Sequence, residues 1–163
     1  MCESRVKINL YVNGKKVETE VEPRLLLADF LRDYLVLKGT HLGCEHGVCG
    51  ACTILLNGES VRSCLMFAVQ CDGHSITTVE GLAKQDKLHA LQQIFLDNDS
   101  LQCGFCTPGM LMTILGYFSK FKGKITEDKA RKVISGNICR CTGYEPIIKA
   151  IVKYGAKGDF LGP

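Results

Sequence analysis

The sequence has no GxGxxG fingerprint, no P-loop and no GxSxG elbow, which excludes the common dinucleotide, nucleotide and acyl-transfer sites. No nucleophile and base stand together as a pair, so the chain shows no apparatus for transforming a substrate by itself. No apolar run approaches the ~20 residues that a membrane span needs, and no membrane partner is expected. The start, MCESRVKINLYVNG, lacks an apolar h-region and a twin arginine. The expectation is a soluble cytoplasmic protein with reduced thiols, where patterned cysteines point to metal or catalysis instead of disulfides. There is no internal repeat and no low-complexity segment. The basic excess is slight, a formal +3, and the lysine-rich run 120–132 is broken by Glu127 and Asp128. It reads as a solvated helix end, and no nucleic-acid partner is expected.

What the chain does have is cysteine, ten in 163 residues, and eight of them fall into two groups. The first is Cys44-x4-Cys49-x2-Cys52-x11-Cys64. The second is Cys103-x2-Cys106, then 32 residues, then Cys139-x-Cys141. Four thiolates are what one [2Fe–2S] centre needs, and C-x4-C-x2-C…C is the plant-type ferredoxin spacing. Two centres in one short chain make a two-stop electron relay. Each oxidised centre with its thiolates carries about −2, which would turn the formal charge of +3 into about −1.

The spacing has a structural logic. Gly43, Gly47 and Gly50 interleave with the first ligands and let backbone N–H groups approach the sulfurs. Cys64 returns across an Asn57-Gly58 hairpin. Cys103 and Cys106 precede a Thr107-Pro108 helix start, and Cys139 and Cys141 precede a helix beginning near Tyr144, so two helix N-termini would face one anionic centre. Zinc also takes four cysteines, but the x4-x2-x11 spacing and the C-x-C pair fit it poorly. A Rieske centre needs two histidines, and four cysteines already fill the first site, so His41 and His46 read as surface or packing residues, as do His74 and His89. Cys2 is placed in an exposed tail and Cys71 as a small packing residue. A thioredoxin-like role for Cys103-x2-Cys106 would leave Cys139 and Cys141 unexplained.

Periodicity predicts the frame. VKINLYV and KKVETEVE alternate around Asn13-Gly14, CTILLNGESVRSC is a second hairpin, and 75–81 is a last strand. The stretch 25–35 is helical after Pro23. From about residue 82 the period changes: 88–98 is amphipathic, Thr107 caps a helix with Pro108 at its first position, Thr126 precedes another that stops by Gly136, and 145–157 ends the fold. Fold class is α+β, an N-terminal β-grasp ferredoxin-like domain over 1–80 and a C-terminal four-helix bundle over 81–163. The linker near 78–86 is short and poor in Gly, Pro and Ser, so the halves are expected to pack together.

The segments GCEHGVCGACTILLNG, RSC, LQCGFCTPGM and SGNICRCTGY, in that order, resemble the small iron–sulfur subunit of the molybdenum hydroxylases, the xanthine oxidase and aldehyde oxidase family. The resemblance runs from about residue 6 to residue 157 and implies the same two domains. It also implies a route: from a molybdenum–pterin cofactor in a large subunit, through the centre of Cys103, Cys106, Cys139 and Cys141, then through that of Cys44, Cys49, Cys52 and Cys64, to FAD in a medium subunit. By the same resemblance Gln102 and Cys141 lie against the pterin. The chain's stop at Pro163 looks like separate-subunit organisation, and the loop from Cys44 to Cys49 looks more like that of hydroxylases of aldehydes or N-heteroaromatics than that of carbon monoxide dehydrogenases. A free two-cluster ferredoxin and a zinc-stapled interaction module are the alternatives.

Overall fold

The computed structural model of the chain describes residues 5–85 and 87–158. Strand β1 (Val6–Val12) pairs antiparallel with β2 (Lys15–Val21), with Val6 opposite Val21 and Val12 opposite Lys15. Asn13 and Gly14 turn the chain at φ of 51° and 77°, the two positive values of a type I′ turn. Strands β3 (Thr53–Leu56) and β4 (Glu59–Arg62) form the second hairpin, turning the same way at Asn57 and Gly58. Strand β5 (Ser75–Thr77) runs parallel to β1 and antiparallel to β3, giving a mixed five-stranded sheet in the order β2-β1-β5-β3-β4.

The strand predicted over 75–81 is shorter. The Asn13 side chain takes the Thr78 N–H at 2.9 Å in place of a ladder partner, and Val79–Gly81 closes into a 3-10 turn. The helix predicted over 25–35 is also modified: α1 (Leu27–Asp29) widens into a π turn over Phe30–Tyr34. Arg32 holds the chain that leaves it, donating to the carbonyls of Lys38 at 3.2 Å and Thr40 at 2.6 Å.

Alternation turns Ile8, Leu10 and Val12 inward, where they meet Leu27, Phe30, Leu31, Ile54 and Ile76. Each such apolar side chain contributes roughly 1.5–3 kcal/mol when fully buried. Successive residues of a strand point to opposite faces, so β3 serves two cores. Ile54 joins the first, and Leu55 joins the second, built from α2 (Ala90–Asp97), α3 (Thr107–Lys120), α4 (Glu127–Val133) and α5 (Glu145–Lys157). α3 is buried from Gly109 to Gly116, and its far end is tied to the β3–β4 turn by the Ser119 hydroxyl, which donates to the Gly58 carbonyl at 3.0 Å. α5 packs Tyr154 edge-on against Phe118, ring centres 5.2 Å apart.

Caps follow the sequence with one correction. The Thr126 hydroxyl accepts the Lys129 N–H at 3.3 Å and caps α4. Thr107 does not cap α3. Cys106, at φ −80° and ψ −16°, is already helical enough to stand at the cap position, and the Thr107 hydroxyl is buried without a partner. Among the described residues no helix is long and apolar enough to cross a membrane.

Candidate metal centres

The first sulfur group lies on the loop between α1's π turn and β3, and on the 3-10 turn after β4. Cys44 and Cys49 are half-buried and Cys52 and Cys64 buried. The Cys49 N–H donates to Cys44 Sγ at 3.3 Å. This donor first, then the N–H of His46, with Val48 adding to them, draws the Cys44 thiol down from 9.0 to about 6. Opposite it, burial and the neighbouring Cys52 sulfur push the Cys64 thiol up to about 11. In metal-free protein Cys44 is therefore a thiolate at neutral pH and Cys64 is not. Stability owed to the depressed Cys44 pKa is present above 9.0 and is lost as pH falls through about 6. Iodoacetamide should label Cys44 well before Cys64, with a rate that falls as pH drops below about 6. Equal labelling of the two would contradict the assignment.

The second group sits where two helices begin. Cys106 stands at the cap of α3, and Cys139 and Cys141 lie in the loop that α5 terminates, with Tyr144 at its cap. Positive helix ends facing this loop favour an anionic occupant. The Cys103 and Cys141 sulfurs are exposed and 3.4 Å apart. Cys106 and Cys139 are half-buried, and burial, then Cys139 beside it, pushes the Cys106 thiol up to about 12. Burial works against ionisation at Cys139 too. There the Thr142 hydroxyl, the N–H groups of Thr142 and Cys141, and Cys106 outweigh it and hold the thiol below its ordinary value.

Each group therefore consists of two close pairs: Cys44 with Cys49 and Cys52 with Cys64, Cys103 with Cys141 and Cys106 with Cys139. A diiron core takes two thiolates on each iron, so this donor set fits one [2Fe–2S] centre per group.

The two groups are joined back to back. The Ile138 N–H donates to the carbonyl of Cys49 at 2.8 Å, linking the residue before Cys139 to a cysteine of the other set. Asn137, buried, donates from Nδ2 to the Gly50 carbonyl at 3.0 Å and accepts the Thr113 hydroxyl at 2.9 Å. Arg62 donates to the Gly136 carbonyl at 2.6 Å. Gly50, at φ 75°, leaves room for this contact: a Cβ there would strike the Gly136 carbonyl and lie 2.6 Å from Asn137 Nδ2.

The histidines pack as the sequence predicts. His41 stacks on Phe105 with ring centres 4.9 Å apart and donates from Nδ1 to its carbonyl at 2.8 Å. His46 bonds the Cys44 carbonyl, His74 that of Asp72, and His89 caps α2 by accepting the Leu91 N–H. Cys71 is buried in the first core, and Cys2 lies outside the described residues. Gln102 is exposed beside Cys103. The residues that sequence reasoning missed are Asn137, Ile138, Thr142 and Tyr144. Their roles rest on contacts whose partners no local pattern names.

Residues 10–85 match the model of a 2Fe-2S iron-sulfur cluster binding domain, and residues 78–152 that of a [2Fe-2S] binding domain. The chain is 60% identical over 146 residues to the gamma subunit of a caffeine dehydrogenase from Pseudomonas sp. strain CBB1, covering 88% of this chain and 87% of that one. It is 42% identical over 158 residues to the iron–sulfur-binding subunit of an aldehyde oxidoreductase from Escherichia coli K12, covering 88% of this chain and 69% of that one. Among solved structures, quinoline 2-oxidoreductase from Pseudomonas putida 86 superposes with a TM-score of 0.87 at 52% identity, covering 91% of each chain. The fold is thus a ferredoxin-like [2Fe–2S] fold of α+β class.

Proposed function

This chain belongs to the small iron–sulfur subunits of the molybdenum hydroxylases, and from that premise we propose that it is the electron-relay subunit of a heteromeric enzyme oxidising an aldehyde or an N-heteroaromatic compound. Electrons enter from a molybdopterin site in a large partner subunit and leave for FAD in a medium one. One-electron acceptance and release is the chemistry that two [2Fe–2S] centres supply when bound. In this reading Cys44, Cys49, Cys52 and Cys64 hold the plant-type centre, and Cys103, Cys106, Cys139 and Cys141 hold the other. Residues 1–80 form the β-grasp unit, and α2 to α5 form a four-helix bundle within 81–163. Gln102 and Cys141, both exposed, meet the pterin.

The observation that carries the reading is the hydrogen bond from the Ile138 N–H to the Cys49 carbonyl. It makes the path from the Cys139 sulfur to the Cys49 sulfur a run of covalent bonds with one 2.8 Å hydrogen bond and no through-space jump. Electron tunnelling decays less along bonded atoms than across a gap, so this chain is wired between its two donor sets. In the assembled enzyme Gln102→Ala is expected to keep both centres, by their EPR signals, but to slow their reduction by substrate. An unchanged rate would remove the pterin contact. Purification as a free, monodisperse carrier, without large and medium partners, would favour a ferredoxin instead.

A further inference from the structure

Thr142 stands over one sulfur of the second group. Its Oγ1 lies 3.2 Å from Cys139 Sγ and accepts the Tyr144 N–H at 3.2 Å. A hydroxyl has a single proton to give, and a thiolate bound to iron has none. The amide already points at the Thr142 oxygen, so the O–H donates to the sulfur. Tyr144 makes this possible by adopting φ 68°, a left-handed conformation that costs a bulky residue roughly 1–2 kcal/mol. Its ring closes the same clamp, Oη accepting the Cys139 N–H at 2.9 Å and donating to the Asn137 carbonyl at 3.3 Å. Among the described residues no other of the eight cysteines has a side-chain hydroxyl on its sulfur. Cys139 is also the cysteine that follows Ile138, the residue bonded to Cys49.

We propose that Thr142 is a tuning residue: its hydroxyl, donating to the Cys139 sulfur, raises the reduction potential of the centre held by Cys103, Cys106, Cys139 and Cys141. The proposal rests on the reading of Cys139 as an iron ligand. Reduction adds one electron and one negative charge to that centre, while the hydroxyl keeps its proton. A fixed donor stabilises the more negative state more strongly, which is how outer hydrogen bonds set the potentials of thiolate-bound clusters. The effect is to make this centre the readier acceptor and to leave the plant-type centre untouched.

The test is an EPR-monitored redox titration of the assembled holoenzyme, in native form and with Thr142→Val, Thr142→Ala and Thr142→Ser. In Val and Ala the equilibrium constant for reducing this centre should fall about threefold to tenfold, roughly 30 to 60 mV for a one-electron couple. Ser should restore the native value, and the plant-type midpoint should not move in any variant. Unchanged midpoints in Val and Ala, with both signals present, would overturn the proposal while leaving the ligand reading intact. Absence of this centre's signal from the native protein would overturn the ligand reading itself. Loss of the centre in both Val and Ala, with Ser loading normally, would also overturn tuning, because the hydroxyl would then be needed for assembly.

Discussion

Cys106→Ser is expected to abolish one of two iron–sulfur EPR signals and to halve the iron content, while the plant-type signal survives. Burial, then the neighbouring Cys139, pushes the Cys106 thiol up to about 12, a strong barrier to ionisation. Only a positive metal core makes an anion tolerable there. A serine hydroxyl ionises with far more difficulty than a thiol, so at this site it would stay neutral and fail as a ligand. The half-buried, neutral hydroxyl would then sit beside Cys139 and leave the iron core one thiolate short. The surviving signal follows from the separation of the donor sets: Cys44, Cys49, Cys52 and Cys64 take their positions from β3, β4 and the loop before them, within the sheet half of the chain. Loss of both signals would show that the two sets assemble as one unit. Retention of both would show that Cys106 is not a ligand.

The second large effect is expected at Gly109, in the first turn of α3. Replacing a helical glycine by alanine ordinarily stabilises by up to about 1 kcal/mol. Here a Cβ would collide with the Gly50 carbonyl and lie 2.9 Å from that of Ala51 and 3.0 Å from its Cα. These are backbone atoms, and Gly50 is itself pinned by Asn137. Neither side can yield as a flexible side chain would, so overpacking wins over propensity. Gly109→Ala should destabilise the holoprotein by about 1–3 kcal/mol, on the order of 5 °C in Tm, and should slow electron passage between the centres by prising α3 off the loop that carries Cys49 and Cys52. Equal or greater stability would mean that the halves meet more loosely than their geometry implies.

Much of the frame is legible in the sequence because its signals are local. Alternating apolar residues around Asn13-Gly14 and Asn57-Gly58 specify both hairpins. Pro146 in its first turn and Gly158 beyond its end bracket α5 at Glu145–Lys157, the range that periodicity gives. The cysteine spacings, read alone, separate the two donor sets that the fold then draws together. What failed to show was set by competition from distant groups. Asn13 reaches 65 residues along the chain to take the Thr78 N–H and ends β5 early. Cys106 adopts helical angles and displaces Thr107 from the cap. The junction is less legible still, since Asn137 meets Gly50 across 87 residues and Gly109 is needed for an approach that nothing in TPGML announces. The conformation of Tyr144 is set by the Cys139 clamp, and neither its neighbours nor its own propensity reveals it.

Iron and acid-labile sulfide analysis of the protein purified without oxygen, paired with EPR after stepwise reduction, bears most directly on the relay. The eight paired cysteines predict about four iron atoms and about four sulfides per chain, with two distinct one-electron signals. Zinc in place of iron, or iron without sulfide, would contradict the two-centre relay at its root.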